Sequence, residues 1–149
     1  MGLLPPEYAW FEPVLVASIV VFVVDLIGNS IAFGNRIVNA LVTAIVFAII
    51  FGALAYFGFG SFDVDVQNIP TVALPAEYAW FEPVLIASVV VFVIGLIGNA
   101  IAFGGKFSNA LVTGLLFAVV FGALAYYSYG SVNVELRETP SINAPANTN

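Results

Sequence analysis

Four long apolar runs restrict how this chain can fold more than any other feature. They cover Pro13–Phe33, Val38–Gly60, Pro83–Phe103 and Ser108–Gly130, and the only charged side chain inside them is Asp25. The first run has 21 residues, and a helix of that length spans roughly 31 Å, close to the thickness of a bilayer's hydrocarbon core. Backbone groups in lipid must hydrogen-bond within the protein, so each run is predicted to be a transmembrane α-helix.

The composition agrees with a chain that lipid surrounds. Hydrophobic residues make up 62% of it and charged residues only 8%, whereas a soluble globular domain has roughly 25% charged residues. A soluble domain near this size leaves roughly 30% of its unfolded-chain surface in water, and this sequence lacks the polar residues to cover such a surface. We therefore predict an all-α integral membrane protein that contacts membrane lipids.

The chain repeats itself with an offset of 70 residues. The segment Glu7–Ser18, EYAWFEPVLVAS, returns with one change as Glu77–Ser88, and 39 of the 60 positions aligned from residue 7 onward are identical. Such self-similarity indicates gene duplication. We predict two tandem helical hairpins with outer segments, a first unit at 1–70 and a second at 71–149. Each has an even number of helices, so the units should insert in parallel, related by an axis along the membrane normal.

The few charges predict an orientation. The two hairpin loops contain one base each, Arg36 and Lys106, and no acid, while the other charges outside the helices lie on the opposite side. Loops with such an excess of bases stay in the cytoplasm. We therefore predict a multi-pass protein with both hairpin loops in the cytoplasm and both termini outside it.

All tyrosines and tryptophans lie on the predicted outer side, which is typical of an aromatic belt at a membrane interface. The residues assigned to this belt precede the first and third helices: Tyr8, Trp10, Tyr78 and Trp80. The alternative is that the repeated EYAWFEP segment binds a ligand or partner.

Two outer segments, Ser61–Gln67 and Ser131–Arg137, alternate apolar and polar residues with the period of a half-buried strand. They occupy equivalent positions in the two units. We predict that they pair with each other or add to a sheet of a partner. An isolated two-stranded ribbon is marginal in water, so further support is expected.

Helices two and four have a small residue at nearly every fourth position, which places these residues on one helix face. Small residues allow helices in lipid to approach closely. The stripes predict that the second and fourth helices make the closest backbone contact, through Gly52 and Gly122. The residues assigned to helix packing are Ala44, Ala48, Gly52, Gly114, Ala118 and Gly122.

Neutral polar residues flank both hairpin loops inside the apolar runs: Asn29, Asn39, Thr43, Asn99, Asn109 and Thr113. An amide in lipid needs a hydrogen-bond partner, and bonds between transmembrane helices are worth about 0.6 kcal/mol on average. We interpret these residues as a clamp between the two helices of each hairpin. An ion or substrate pathway is the alternative.

Asp25 is the one ionisable residue well inside a predicted helix, and the second unit has Gly95 at the equivalent position. A carboxylate near the centre of a transmembrane helix costs about 2.5–3.5 kcal/mol, which the surrounding apolar residues offset. We expect a neutral acid that is hydrogen-bonded within the bundle. The alternative is that Asp25 handles an ion or a proton.

The absent residue types limit the possible functions. Without cysteine or histidine, the chain cannot form disulfides, use a catalytic thiol or hold zinc or haem through histidine. We expect no metal, no cofactor and no enzymatic activity, and the net charge of −6 argues against nucleic-acid binding. The sequence predicts a non-catalytic structural or accessory subunit that packs against other membrane subunits in a homo- or hetero-oligomer. The alternative is an oligomeric ion- or proton-translocating protein that uses Asp25.

Overall fold

The computed structural model describes residues 2–32, 34–70, 72–102 and 104–139. They are mostly helical, and four helices are long and apolar enough to cross a membrane, as predicted. These helices are α1 (Glu12–Ile31), α2 (Arg36–Tyr56), α3 (Glu82–Ile101) and α4 (Lys106–Tyr126). Short 3-10 helices at Pro6–Phe11 and Ala76–Phe81 precede α1 and α3, and strands β1 (Gly60–Val66) and β2 (Gly130–Leu136) follow α2 and α4.

Helices α2 and α4 end at Tyr56 and Tyr126, four residues earlier than the sequence predicted. After α2, the Phe59 N–H donates to the Leu54 carbonyl (2.8 Å) around Gly58, whose φ is 73°. This is a Schellman motif, in which a left-handed residue turns the chain out of the helix. The same bond recurs after α4. The chain is thereby released early enough to form the strands.

The four helices surround a common axis. Helices α1 and α3 each pack against α2 and α4, and the most extensive contacts join α1 to α4 and α2 to α3. Both of these seams join helices of different units. Helices α2 and α4 lie diagonally across the bundle, and their described residues share few contacts. The prediction that they make the closest pair is therefore wrong.

The two glycines expected between α2 and α4 instead receive aromatic rings. A Cβ atom on Gly52 would lie 3.2 Å from the Phe81 ring, and one on Gly122 would lie 2.9 Å from the Phe11 ring. Both phenylalanines end the 3-10 helices before α3 and α1. A small residue marks a place of close approach, but here a side chain approaches rather than a helix backbone.

The closest approach within each hairpin occurs at glycines that the small-residue stripes did not include. A Cβ atom on Gly28 would lie 2.9 Å from the Cα of Thr43, and one on Gly98 would lie 3.2 Å from the Cα of Thr113. These glycines let the two helices of each hairpin touch at the level of the threonines.

Strands β1 and β2 pair with each other in an antiparallel ribbon, which confirms the first of the two predicted pairings. In the central pair, Asp63 lies opposite Asn133, its own equivalent in the second unit, and Gly60 lies opposite Leu136. If the two units are exchanged, every residue pair of this register therefore becomes a pair of the same register. A two-fold axis through the middle of the ribbon has the same effect on the two strands.

The ribbon rests on a cluster of five phenylalanines that closes one end of the bundle. Phe62 of β1 is 1% exposed, and its ring centroid lies 4.9 Å from that of Phe47 and 6.3 Å from that of Phe117. We call these residues the aromatic plug: Phe47, Phe51, Phe62, Phe117 and Phe121. The plug supplies the support that a two-stranded ribbon needs. We call this end of the bundle the strand end and the opposite end the hairpin end.

Candidate functional site

The seven polar residues predicted inside the helices converge in the half of the bundle nearer the hairpin end. Each is at most 3% exposed. Residues four apart share a helix face, so the spacing of Asp25 and Asn29 on α1, and of Asn39 and Thr43 on α2, turns these pairs toward the centre. We call the group the axial polar cluster: Asp25, Asn29, Asn39, Thr43, Asn99, Asn109 and Thr113.

Four asparagines form a closed ring of amides. The Nδ2 group of Asn39 donates to the Oδ1 atoms of Asn29 and of Asn99, the latter at 3.1 Å. The Nδ2 group of Asn109 donates to the same two atoms, at 3.1 Å for Asn29. The bond expected within each hairpin is present, and two further bonds link the hairpins. The ring therefore joins all four helices.

The amide ring is anchored to the hairpin end of the bundle. Asn29 Nδ2 donates to the Lys106 carbonyl at 3.0 Å, and Asn99 Nδ2 donates to the Arg36 carbonyl at 3.2 Å. These carbonyls belong to the first residues of α4 and α2, which are exposed. The ring thus lies directly beneath the surface at the hairpin end.

Asp25 lies one helical turn deeper than the ring and is 0% exposed. Its Oδ1 accepts a hydrogen bond from the Thr43 hydroxyl at 2.8 Å, and its Oδ2 accepts one from Asn29 Nδ2 at 3.3 Å. The Thr113 hydroxyl faces the same carboxyl from α4. Among the described residues, the groups that act on this carboxyl are hydroxyls and an amide, and none is a base.

The position of Asp25 gives a physical reason for its asymmetry. Thr43 and Thr113 are equivalent residues of the two units, so a carboxyl between them lies close to the two-fold axis. A second acid at Gly95 would be directed to the same two hydroxyls, and two buried carboxylates in contact repel each other. A Cβ atom on Gly95 would meet Ala40 no closer than 3.8 Å. The backbone there has room for a Cβ atom, but the axis accommodates only one acid.

The axial polar cluster ends where the aromatic plug begins. Phe47 and Phe117, one turn beyond the threonines, are both 0% exposed. Farther toward the strand end, the hydroxyls of Ser18 and Ser88 donate to backbone carbonyls of their own helices at 2.6 Å and so are already satisfied. Among the described residues, the buried side chains that continue toward the ribbon are otherwise apolar. The cluster is therefore polar toward one end of the bundle only.

The residues assigned to the aromatic belt are exposed at the strand end: Tyr8, Trp10, Tyr78 and Trp80. Both tryptophans pair with a tyrosine of the other unit. The ring centroids of Trp10 and Tyr126 are 5.6 Å apart, and those of Trp80 and Tyr56 are 5.3 Å apart. The repeated EYAWFEP segment therefore packs one unit against the other. The available sequence signal for this packing was the repetition of EYAWFEP, because two identical segments at equivalent positions make equivalent contacts.

The remaining small residues lie along the seams between units. Ala44 and Ala48 border an open apolar groove between α2 and α3, and Gly114 and Ala118 border the equivalent groove between α1 and α4. A Cβ atom on Gly114 would lie 3.2 Å from the Ser18 carbonyl oxygen, so the backbones of α1 and α4 approach closely in their seam. The small residues of α2 therefore pack against α3, and those of α4 pack against α1. The stripes join the two units, but they do not join α2 to α4.

The described residues contain no group of three or more acidic, histidine or cysteine side chains that could hold a metal ion. Comparison of the chain with protein-family models, with curated proteins and with solved structures gave no match. A function must therefore be inferred from the arrangement of this chain's own residues.

Proposed function

We propose that this chain is a non-catalytic structural subunit of a larger membrane assembly, which it enters as two tandem transmembrane hairpins. The observation that carries the proposal is that polar and apolar side chains occupy different parts of the bundle. The buried polar groups hydrogen-bond to one another across helices, whereas the side chains exposed between the helix ends are aliphatic. The polar side chains thus stabilise the bundle from inside, and the apolar outer surface is available to lipids and partners.

The two open grooves are the features of that surface best suited to a partner helix. Lipid chains are as apolar as leucine, so helices in a bilayer recognise each other by close packing at small residues. The grooves have such residues on their floors, Ala48 in one and Ala118 in the other, beside the exposed side chains of Ile45 and Leu115. Because the grooves are equivalent, the subunit can bind two neighbours in the same way.

The proposed orientation places both hairpin loops in the cytoplasm and the ribbon outside it. Arg36 and Lys106, the bases of the two loops, are exposed at the hairpin end. The ribbon presents exposed acids at the other end, among them Asp63 and Glu135. The third base, Arg137, is at the strand end, where it pairs with Glu135. The hairpin loops thus hold two of the three bases and no acid, which is the bias expected of cytoplasmic loops.

Affinity purification from native membranes in a gentle detergent tests the proposal. The wild-type chain should co-purify with another membrane protein, or with further copies of itself, at a fixed ratio. Ala48→Leu and Ala118→Leu, which fill the grooves, should reduce that recovery while the isolated bundle keeps its thermal stability. Ile49→Leu, on an exposed position of α2, is the matched control. A chain that is monomeric in its native membrane, or groove variants with unchanged recovery, would refute the proposal.

Ion or proton translocation is the second candidate, and the fully buried Asp25 carboxyl favours it, because buried acids in membranes often lie on ion pathways. Within one chain, the aromatic plug would block such a pathway, so translocation requires the plug to open or copies to assemble. Flux into liposomes tests this candidate. A flux that Asp25→Asn abolishes without loss of assembly would favour translocation over the structural role.

A further inference from the structure

The hydrogen bonds of the amide ring can be assigned in only one way. Amide oxygen and nitrogen atoms are distinguished by their partners. Asn29 faces the Lys106 carbonyl, and Asn99 faces the Arg36 carbonyl, so both must present their Nδ2 groups there. Their Oδ1 atoms therefore face the ring. Asn39 and Asn109 must donate to these oxygens, which leaves their own Oδ1 atoms on the other side of each amide.

This assignment leaves the axial polar cluster with unpartnered acceptors. The buried side-chain atoms without a hydrogen-bond partner in the described structure are Oδ1 of Asn39, Oδ1 of Asn109 and Oγ1 of Thr113. All three atoms are oxygens, and the residues are at most 3% exposed. The Thr113 hydroxyl lies near enough to the Asp25 carboxyl to act on it electrostatically, but it makes no hydrogen bond of ordinary geometry there. Buried polar atoms without partners are uncommon, and each calls for an explanation.

We propose that the axial polar cluster binds one monovalent metal cation of the Na⁺ type, with Asp25, Thr113 and the free amide oxygens of Asn39 and Asn109 as its ligands. The ligand types fit, since carboxylate, carbonyl and hydroxyl oxygens suit hard cations. Asn39 and Asn109 lie four residues before Thr43 and Thr113, one helical turn from the carboxyl. The ion would lie between these two layers.

The charge of the site selects a monovalent ion. The described cluster contains one acid and no base, so a singly charged cation makes the buried site neutral. A divalent cation would leave a net positive charge in a low-dielectric interior, which is unfavourable without a second acid. Gly95, the residue equivalent to Asp25, supplies no such acid.

The ion would exchange only with the hairpin end. The amide ring lies directly beneath that surface, whereas the aromatic plug separates the cluster from the ribbon. The cation is therefore a structural component that holds the four helices together. This inference is independent of the proposed assembly, because it concerns the interior of a single chain.

Thermal unfolding of the purified full chain in detergent tests the site. Chloride salts of Na⁺, K⁺ and Li⁺ are titrated against choline at constant ionic strength, with the fluorescence of Trp10 and Trp80 as the readout. One alkali cation should raise the unfolding temperature saturably. Asp25→Asn should abolish the effect, whereas Asp63→Asn, an exposed acid of the ribbon, should retain it.

Direct binding of radioactive Na⁺, with competition by the unlabelled salts, provides a second measurement. Saturation at one ion per chain supports the site, and Thr113→Val should weaken binding by about tenfold or more. This near-isosteric variant covers the case in which Asp25→Asn fails to fold. Equal stabilisation by all salts including choline, or stabilisation by acid alone with no bound Na⁺, would show that water or a proton satisfies the free oxygens and would overturn the proposal.

Discussion

The contact between Gly122 and Phe11 allows the arrangement of the bundle to be tested by one methyl group. In the structure, a Cβ atom at position 122 would lie 2.9 Å from the Phe11 ring, closer than non-bonded carbon atoms approach, whereas one at Gly52 would lie 3.2 Å from Phe81. The Phe11 ring also packs edge-on against Trp10, with centroids 5.5 Å apart. Gly122→Ala must therefore displace Phe11 and disturb its packing on Trp10.

The expected magnitude follows from two opposing terms. Overpacking a well-packed site costs about 1–3 kcal/mol, and replacing glycine by alanine within a helix returns about 1 kcal/mol. The net cost of Gly122→Ala is therefore about 0–2 kcal/mol, and we expect a destabilisation of about 1 kcal/mol. Gly52→Ala should cost less, because a shift of a few tenths of an ångström in the Phe81 ring relieves its contact.

A double-mutant cycle in mixed micelles, with unfolding followed by tryptophan fluorescence, measures the coupling. Phe11→Leu should remove the clash, so Gly122→Ala should cost much less in that background. Gly52→Ala and Gly122→Ala should add independently, because the two glycines contact different aromatic rings. Coupling between the two glycines, with none between Gly122 and Phe11, would mean that α2 and α4 are direct neighbours and would refute the arrangement described above.

Three further predictions concern orientation, the amide ring and the axis. In the cysteine-free chain, Asn133→Cys should react with an impermeant thiol reagent on intact cells and Asn35→Cys should not; the reverse labelling would invert the topology. Asn39→Leu removes two amide bonds and should lower the unfolding free energy by about 1 kcal/mol, whereas unchanged stability would disprove the ring. Gly95→Asp places a second acid beside Asp25 and should unfold at lower temperature unless a divalent cation is added; stability equal to wild type in chelator would contradict this account.

The helices and the ribbon could be predicted from the sequence because their signals are local. An apolar run of 21 residues predicts a helix without reference to its neighbours, and alternation in the outer segments predicts strands. The helix ends were predicted less well. Gly58 was the available signal for the end of α2, but the second unit closes the same turn with Ser128, whose φ is 60°. A serine gives little sequence signal for a left-handed turn.

The polar residues were identified from the sequence, but their arrangement was not. Their depth follows from their distance to the hairpin loops, so a clamp within each hairpin was predictable. The two bonds between hairpins, Asn39 to Asn99 and Asn109 to Asn29, depend on how the units pack. The backbone carbonyls that orient the ring leave no trace in the sequence, because every residue has one.

By itself, the sequence determined which stretches are helical, that the units repeat and that one acid is buried. These properties depend on the length of each apolar run, on the identity between the two repeated segments and on the charge of a single side chain. Only the tertiary structure decided what each small or polar residue meets. Gly52 and Gly122 receive phenylalanine rings, and Asp25 lies between two equivalent threonines near the axis. The physical reason is that side-chain size and polarity are local properties, whereas a contact depends on the placement of both partners around the bundle axis.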